Sequence, residues 1–344
     1  MNRSQRKLAH IREAVDQQFP RINSFDEMEI IHQSLTPLNW DQLSLKVDCG
    51  ELSLSSPLFV NAMTGGGGMP TEEINKQIAF AAYQTGIAMA VGSQTSALKD
   101  EKEKRTYEVI RNENPSGVVF ANVGSEVTVD QALTVIDMIE ANALQIHLNT
   151  MQELIMPEGD RDFSSRLSKI ENMVKNVNVP IILKEVGFGI SKETALQLKN
   201  IGVKYIDVGG KGGTSFSSIE NRRREKPMAV FDNWGIPTTL SLKEVKTAFP
   251  ACHLIASGGI RDGLDGAKSI VLGAKMFGMA GPLLKTLVQE GQDELIQKIH
   301  HIHDELKVAM LALGAKKVGD LKGSPHVFYG KSKEWIDQRK LNLN

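Results

Sequence analysis

The sequence has few cysteines, almost no net charge and no long apolar run, and each absence excludes a class of protein. Its 344 residues include only Cys49 and Cys252, and 40 Lys plus Arg stand against 41 Asp plus Glu. Two cysteines so far apart offer no metal-ligand spacing and suit buried positions in a reducing compartment. Balanced charge argues against nucleic acid or an anionic membrane as a partner. No run approaches the roughly 18 apolar residues that span a bilayer, and the polar, basic N-terminus lacks a signal-peptide core, so we expect a cytoplasmic protein.

Short apolar runs recur along the chain, each followed by a polar or glycine-rich turn and an amphipathic stretch. The eight runs are 58–63, 87–91, 118–123, 144–148, 180–186, 205–208, 253–257 and 276–280. Helices are predicted between them, for example over 71–84, 129–141, 164–175, 192–200, 241–249 and 264–272. This order is typical of parallel βα units. Because eight units over residues 58–290 match a (β/α)8 barrel of about 250 residues better than an open sheet, we expect an α/β fold of the TIM-barrel class.

We interpret the chain, residues 1–344, as one barrel domain with additions at both ends. Residues 1–57 precede the repeat and combine a short basic helix with irregular segments, which indicates an N-terminal extension. Residues 291–344 form a C-terminal helical segment, with a helix over 295–313 packed across one side of the barrel. Residues 209–250 make an unusually long stretch after the sixth run, and long loops are usually functional, so we predict a lid there.

Polar side chains follow the apolar runs, at the end of the barrel where such folds place their active sites. Each of them alone could simply satisfy a hydrogen bond of the fold. Their coincidence at one rim instead predicts a binding site. The set comprises the polar residues Asn61, Thr64, Ser93, Gln94, Asn122, His147, Asn149, Gln152, Glu153, Lys184 and Glu185, together with the apolar Ala62 and Met63 between the first two.

Glycine-rich turns after the last two runs predict a phosphate site. The turns read Ser257-Gly258-Gly259-Ile260-Arg261-Asp262-Gly263 and Met279-Ala280-Gly281-Pro282-Leu283. Glycine lets a ligand approach the backbone, helix-start N–H groups attract anions, and an Arg adds paired donors. A tight turn that merely needs glycine is the alternative. Neither a Rossmann nor a Walker motif occurs, which argues against a resident dinucleotide or an ATPase.

Several charged residues keep more than one interpretation. Lys184 ends a buried run, where an unpaired ammonium would be costly. It therefore either pairs with an anion, which is a neighbouring carboxylate or the anionic edge of a reduced flavin, or forms a Schiff base with a carbonyl substrate. Glu153 suits Mg²⁺ if a second phosphate must be held, and is otherwise a surface carboxylate. His300, His301 and His303 lack partners for a metal site, so we treat them as surface residues.

Together these motifs resemble the type 2 isopentenyl diphosphate isomerases, which are FMN-dependent barrel enzymes. The likeness covers nearly the whole chain. It includes Arg6-Lys7-x-x-His10-Ile11 and the segments 61–66, 91–94, 121–122, 147–149, 152–153, 184–187, 209–214, 233–238 and 257–261. The pairs Arg6-Lys7 and Gln152-Glu153 make it specific, because FMN binding alone does not require them.

The resemblance implies a role for each matched residue. The flavin ring and ribityl chain would contact Ala62, Met63, Thr64, Ser93, Asn122, Lys184 and Thr214, and the FMN phosphate would contact Gly259, Ile260, Arg261, Ala280 and Gly281. The diphosphate substrate would contact Arg6, Lys7, Ser93, Gln94, His147 and Gln152, with Glu153 holding Mg²⁺. The catalytic residues would be Gln152, His147 and Lys184.

The implied reaction interconverts isopentenyl and dimethylallyl diphosphate by a 1,3-allylic proton shift in isoprenoid biosynthesis. Such chemistry needs a proton donor, a proton acceptor and stabilisation of positive charge. We expect N5 of reduced FMN to carry the proton and Lys184 to stabilise the negative charge of the reduced flavin. Trp234 would shield the site from water, and NADPH would act only as a visiting reductant. A homo-oligomer, tetrameric or octameric, is also implied, and its N-terminal arm could reach a neighbouring site.

Three other functions are alternatives to this one. An FMN-dependent 2-hydroxy-acid oxidase or dehydrogenase is the first alternative, but residues 208–216 lack the histidine that such enzymes use. An IMP dehydrogenase would need a cysteine within 209–234, which is absent. A non-enzymatic flavin-binding scaffold would have no use for a rim of polar residues.

Overall fold

The structure, a computed structural model, describes residues 23–342. In chain order its strands are β1 (Met28–Ile30), β2 (Val47–Cys49), β3 (Leu52–Leu54), β4 (Leu58–Val60), β5 (Ala88–Ala90), β6 (Val119–Gly124), β7 (Ala143–Leu148), β8 (Ile181–Glu185), β9 (Tyr205–Asp207), β10 (His253–Ser257), β11 (Met276–Met279) and β12 (His326–Phe328). Its α-helices are α1 (Met69–Thr85), α2 (Thr95–Lys99), α3 (Arg105–Glu113), α4 (Val129–Met138), α5 (Thr150–Ile155), α6 (Arg166–Asn176), α7 (Lys192–Asn200), α8 (Phe216–Asn221), α9 (Thr238–Ala248), α10 (Gly263–Val271), α11 (Gly281–Glu290), α12 (Gln292–Ala312) and α13 (Gly330–Arg339). None of these helices is long and apolar enough to cross a membrane.

Strands β4 to β11 close into a parallel barrel in sequence order, with β11 paired to β4. The predicted (β/α)8 fold is therefore confirmed, and each of the eight apolar runs overlaps one barrel strand. The runs are almost continuously apolar because both faces of each strand are buried. In β4, for example, Phe59 packs inside the barrel while Leu58 and Val60 pack outward against the helices.

A polar layer lies above the apolar layer inside the barrel. Successive side chains of a strand alternate between faces, so residues two apart face the same side. The apolar layer includes Phe59, Phe120, Ala143, Ile182, Tyr205 and Ile255. Two residues further along the same strands come Asn61, Asn122, Gln145, Lys184, Asp207 and Ser257, all of them buried. The strands therefore present polar groups towards their carboxyl ends.

The hairpin of β2 and β3 closes the opposite end, which we call the floor. Its turn residue Gly50 has a φ of 61° and packs so tightly against Tyr205 and His253 that a Cβ there would clash with both side chains. Cys49 belongs to the apolar cluster inside the barrel, and Cys252 is also buried. Burial raises the pKa of the Cys49 thiol to about 12 and that of Cys252 to about 11. The two cysteines are free thiols within the packed interior, as predicted.

The segments outside the barrel are tied to it and to each other. β1 pairs in antiparallel fashion with β12, and α12 packs on α10 and α1. The treatment of His303 as a surface residue was wrong. This side chain on α12 is 9% exposed and bonds to Ser56, next to the start of β4. The predicted basic helix near residue 1 lies outside the described residues.

The stretch from 209 to 250 is more ordered than its length suggested. It contains α8 and a short 3-10 helix at Ala229–Phe231, and α9 is an outer-ring helix that packs on α7 and β10. Only the part before α9 lies at the mouth of the barrel. Trp234 in that part is 57% exposed and stacks edge-on against Phe231.

Candidate active site

A cavity of about 450 Å³ opens at the carboxyl ends of the barrel strands, which we call the mouth. All eight strands, or the turns that follow them, contribute to its wall. Its size lies within the roughly 300–1,000 Å³ that is typical of small-molecule sites. The cavity is lined by most of the residues that the sequence singled out: Ala62, Met63, Ser93, Asn122, His147, Gln152, Lys184, Thr214, Gly259, Ile260, Arg261, Ala280 and Gly281.

Of the described residues with an implied contact to cofactor, substrate or metal, three do not line this cavity, and neither do Asn149 and Glu185 of the rim. Thr64 is buried and donates its hydroxyl to the side chain of Asn75. Gln94 is fully buried, donates to the carbonyl of Val135 on α4 and accepts from the backbone N–H of Asn122. Ser93 lines the cavity, while the side chain of Gln94 bonds to α4 instead. Gln94 therefore holds α4 against the barrel, and its side chain is not brought to the site.

Glu153 is the third. It lies on α5, and each of its carboxylate oxygens accepts one hydrogen bond, from Asn149 Nδ2 at 2.8 Å and from the backbone N–H of Asp160 at 2.9 Å. Within residues 23–342 no group of three or more His, Cys, Asp or Glu side chains could hold a metal ion. A lone carboxylate fits Mg²⁺ only when substrate oxygens and water complete the shell. Arg6 and Lys7 lie outside the described residues.

A chain of hydrogen-bonded amides crosses the polar layer and determines which ring nitrogen of His147 carries a hydrogen. Asn61 Nδ2 donates to Asp207 Oδ2 at 3.0 Å, Gln145 Nε2 donates to Asn61 Oδ1, and Asn122 Nδ2 donates to Gln145 Oε1. Asn122 Oδ1 then lies 2.9 Å from His147 Nδ1. Because an ionised Asp207 only accepts, every amide in the chain is oriented, and Nδ1 of His147 must carry the hydrogen. Nε2 accepts in the neutral ring and donates once the ring is protonated.

The carboxylate nearest to Lys184 lies at the outer limit of an ion pair. Its Nζ donates to the carbonyl of Glu185 at 2.7 Å and lies 4.0 Å from Asp207 Oδ2. Asp207 is fully buried and also accepts from Ser257 Oγ at 2.5 Å and from the backbone N–H of Gly209. The Lys184 ammonium thus lines the cavity with donors beyond its single direct bond, which suits an anionic ligand. The sequence interpretation did not include Asp207, although its place two residues after Tyr205 could have indicated it.

Gln152 is oriented by a carboxylate that the sequence interpretation also missed. Gln152 Nε2 donates to Glu220 Oε1 at 3.0 Å. Glu220 on α8 is fully buried and pairs with Arg223, which in turn pairs with Glu158. No periodic pattern marks Glu220 in the sequence, because α8 is a short helix within the long segment after β9.

Glu185 stabilises the turn that follows β8. Its Oε2 accepts from the backbone N–H groups of Gly187, Phe188 and Gly189. Burial raises the pKa of Glu185 to about 7, against the opposing effect of these three donors. Val186 and Gly187 line the cavity, so this carboxyl group shapes one of its walls.

The turn after β10 is packed closely enough to require its glycines. Gly258 and Gly259 have φ values of 97° and 72°, and a Cβ on either would collide with the backbone of residues 210–212. The backbone N–H groups of Ile260 and Gly281, both in residues that line the cavity, bond to no other described residue. Such donors beside glycine and at the start of α11 suit a phosphate group. The lining of the mouth therefore fits FMN, which carries a phosphate group and, when reduced, an anionic ring.

The Arg261 side chain is held by two carboxylates. Nε and one terminal nitrogen donate to Asp265, and both terminal nitrogens donate to Asp26. These hydrogen bonds, above all the one that Arg261 donates to Asp265, raise the pKa of the guanidinium above its ordinary value. Its predicted contact with phosphate is therefore set by where these carboxylates hold it.

The family match identifies the class of enzyme to which this barrel belongs. The FMN-dependent dehydrogenase family matches residues 111–327, more than half of the chain. Solved structures of the same fold include a mandelate oxidase with (S)-2-phenylpropionate, with a TM-score of 0.66 at 17% identity over 94% of this chain and 97% of the other. A flavocytochrome b2 with benzoylformate aligns over 100% of this chain and 82% of the other, with a TM-score of 0.67 and 18% identity.

Full-length relatives define the family more narrowly. The isopentenyl-diphosphate delta-isomerase of Geobacillus sp. (strain WCH70) is 52% identical over 98% of this chain and 97% of its own length. That of Bacillus licheniformis is 50% identical over 99% and 98%. The chain therefore belongs to the isopentenyl-diphosphate delta-isomerase family, in agreement with the resemblance drawn from its motifs, and is an FMN-dependent isomerase.

Proposed function

We propose that the protein interconverts isopentenyl and dimethylallyl diphosphate in the cytoplasm by a 1,3-allylic proton shift, with FMN, Mg²⁺ and NADPH. The proposal rests on the convergence of His147, Gln152 and Lys184 on one cavity. The chain around that cavity is about half identical to two named isomerases over nearly its whole length.

The wall of the mouth would hold FMN. When bound and reduced, FMN supplies an electron-rich ring that exchanges protons, and NADPH would serve only to reduce it. Lys184 would lie beside the anionic edge of the ring. The remaining contacts would come from Ala62, Met63, Ser93, Asn122 and Thr214 at the ring and ribityl chain, and from Gly259, Ile260, Arg261, Ala280 and Gly281 at the phosphate. Thr64 and Gln94 would act indirectly, by fixing the backbone on either side of Met63 and Ser93.

His147 and Gln152 would bind and orient the substrate. Protonation of His147 at Nε2 would give a cation that attracts the diphosphate, while Asn122 keeps the ring in place through Nδ1. Glu220 would fix the side-chain amide of Gln152 against the substrate. Ser93, Arg6 and Lys7 would supply further donors to the diphosphate.

Glu153 would hold Mg²⁺ through the substrate. Its two carboxylate oxygens keep lone pairs beyond the hydrogen bonds from Asn149 and Asp160, so a metal ion shared with diphosphate oxygens is compatible with its contacts. We further propose a homo-oligomer, tetrameric or octameric, built from one FMN-binding barrel domain per chain. Light scattering on the purified protein measures that state.

An anaerobic assay tests the function directly. Isopentenyl diphosphate is incubated with the protein, FMN, Mg²⁺ and NADPH, and each component is omitted in turn. We expect dimethylallyl diphosphate in the complete mixture, and sharply less without FMN, Mg²⁺ or a reductant. Dithionite should replace NADPH if the nucleotide serves only as a reductant. The proposal fails if the complete, fully reduced mixture yields no product.

Oxidation of a 2-hydroxy acid is a second candidate, because the barrel matches mandelate oxidase and flavocytochrome b2 in fold. Residues 208–216 contain no histidine to take the substrate proton. Mandelate and lactate should therefore leave the bound flavin oxidised. Bleaching of the flavin absorbance by either acid would favour this candidate instead.

A further inference from the structure

The first described residues are bonded to the phosphate turn at the barrel mouth. Asn23 Nδ2 donates to the carbonyl of Gly259 at 2.8 Å. Lys268 Nζ on α10, which follows that turn, donates to the carbonyl of Phe25 at 2.8 Å. Phe25 and Met28 are fully buried in the main core and anchor the segment. We call residues 23–28 the anchor segment.

The bond from Asn23 also orients the peptide group between Gly259 and Ile260. In a trans peptide the carbonyl and the following N–H point in opposite directions. The Gly259 carbonyl faces Asn23, so the Ile260 N–H points away from Asn23 and has no partner among the described residues. Asn23 thereby keeps this backbone donor available to a phosphate in the cavity.

The Arg261 guanidinium donates hydrogen bonds to Asp26 from one edge and to Asp265 from another. Asp26 accepts at 3.0 and 2.8 Å from the two terminal nitrogens, and Asp265 accepts at 2.7 Å from Nε. The hydrogen bond from Arg261 lowers the pKa of Asp26. The Arg261 side chain is 29% exposed, that of Asp26 is 36% exposed and that of Asp265 is 2% exposed. The contact with Asp265 is therefore buried, whereas the contact with Asp26 is partly solvated and is distinguished from a loose surface pair by its two parallel hydrogen bonds.

We propose that Asp26 is a positioning residue for FMN, which couples binding of the cofactor phosphate to seating of the anchor segment. Asp26 and Asn23 hold the side chain of Arg261 and the backbone of Gly259 in one arrangement. A phosphate that binds this arrangement stabilises the anchor segment in return, because coupling between two sites is reciprocal. Neither Asp26 nor Asn23 lines the cavity itself, so both act through the residues of the turn that do, Arg261 and Gly259.

The coupling has a consequence for substrate binding, which rests on the proposed function. The anchor segment continues directly into residues 1–22, which carry Arg6 and Lys7. A variant with a loosened anchor segment should need more substrate for half-maximal rate even when saturated with FMN.

A titration of FMN tests the coupling without any substrate. FMN is added to the apo-protein of Asp26→Asn and the dissociation constant is read from quenching of flavin fluorescence. We expect it to rise about five- to twentyfold, within the usual range of coupling between sites. Asp41→Asn is the matched control, because Asp41 lies in another short 3-10 helix, Trp40–Gln42, and forms no ion pair with a described residue. The control should bind FMN as the unaltered protein does.

A second pair of variants distinguishes the effect of losing the hydrogen bond from Asn23 to Gly259 from the effect of losing a helix cap. Asn23 and Asn39 both begin 3-10 helices with reciprocal capping bonds, but of the two only Asn23 reaches the phosphate turn. Asn23→Ala should therefore weaken FMN binding several-fold, while Asn39→Ala should not. Melting of each apo-protein identifies a variant that fails to fold. Equal FMN affinity in all four variants would overturn the proposal.

Proteolysis measures the reverse direction of the coupling. Trypsin cleaves after Arg21, which lies two residues before the anchor segment. FMN should slow this cleavage in the unaltered protein and much less in Asp26→Asn. If FMN protects both proteins equally, Asp26 does not carry the coupling. These measurements need no isomerase activity, so their failure is distinct from failure of the proposed function.

Discussion

The floor and the mouth of the barrel are built on the same strands from opposite kinds of side chain. On β8 the apolar Ile182 is followed two residues later by Lys184, and on β9 Tyr205 is followed by Asp207. Ionisable groups differ in the same way. At the floor, burial raises the pKa of the Cys49 thiol and keeps this group neutral. At the mouth, Lys184 and Asp207 instead form an ion pair, with Nζ and Oδ2 4.0 Å apart.

This contrast teaches where the fold gains stability and where it can act. Apolar layers near the floor gain free energy from burial, at about 25 cal/mol per Å². Buried polar groups at the mouth gain little for stability, because desolvation offsets their hydrogen bonds. They do provide oriented donors and charges for a ligand. Substitutions at the two ends should therefore have separate effects, on stability at the floor and on activity at the mouth.

The largest expected effect belongs to Lys184→Met at the mouth. Removal of the ammonium should lower turnover of isopentenyl diphosphate by about a hundred- to a thousandfold, as for other preorganised electrostatic contacts. Asp207 keeps its hydrogen bonds from Asn61, Ser257 and Gly209 when the ammonium is removed, so thermal unfolding should change less than after a truncation in the apolar layer. The matched control is Lys204→Met, at an exposed position just before β9 at the floor end, and its turnover should be normal. A large fall in melting temperature of Lys184→Met would contradict the contrast.

Ile182→Ala on the same strand should have the opposite outcome. Ile182 is fully buried inside the barrel, so truncation leaves a cavity and lowers the free energy of unfolding by about 3 to 4 kcal/mol. Turnover of the protein that remains folded should be nearly unchanged. Ile182→Val, which removes a single methylene, should cost about 1 kcal/mol. Urea unfolding measures both values, and a selective loss of turnover would show that the two layers are not independent.

The buried His303 predicts a pH dependence that arises at the floor end. Burial lowers the pKa of His303 from 6.5 to about 4. The folded protein therefore binds fewer protons than the unfolded chain between these values, so stability is complete above about pH 6.5 and falls as the pH approaches 4. The full loss is about 3 kcal/mol.

His303→Gln tests this pH dependence. It removes the titrating ring and keeps a side chain that can bond to Ser56, so unfolding should depend less on pH over the same range. The control is His32→Gln, at an exposed position outside α12, which should retain the dependence. If the curve of His303→Gln matches that of the unaltered protein, other groups account for the acid sensitivity.

Most of the fold followed from local patterns, whereas part of the site did not. Every barrel strand is a short apolar run, and a period of two predicts which residue of its exit is polar. Gln94 and Ser93 could not be told apart, because the orientation of Gln94 depends on its bond to α4. Asp26 could not be related to Arg261 across 235 residues of chain. Contacts of this kind depend on how distant segments pack, which no local pattern records.

The smallest expected effect, Tyr205→Phe, compares the two ends within a single strand. Tyr205 and Asp207 face the same side of β9, but the Tyr205 hydroxyl accepts from the backbone N–H of Glu51 in the floor hairpin at 2.9 Å. Loss of this one bond should lower the free energy of unfolding by about 1 kcal/mol. Neither turnover nor FMN affinity should change, because the polar layer around Asp207 keeps all of its partners. A shift in FMN affinity would mean that the floor hairpin also affects the positions of the side chains at the mouth.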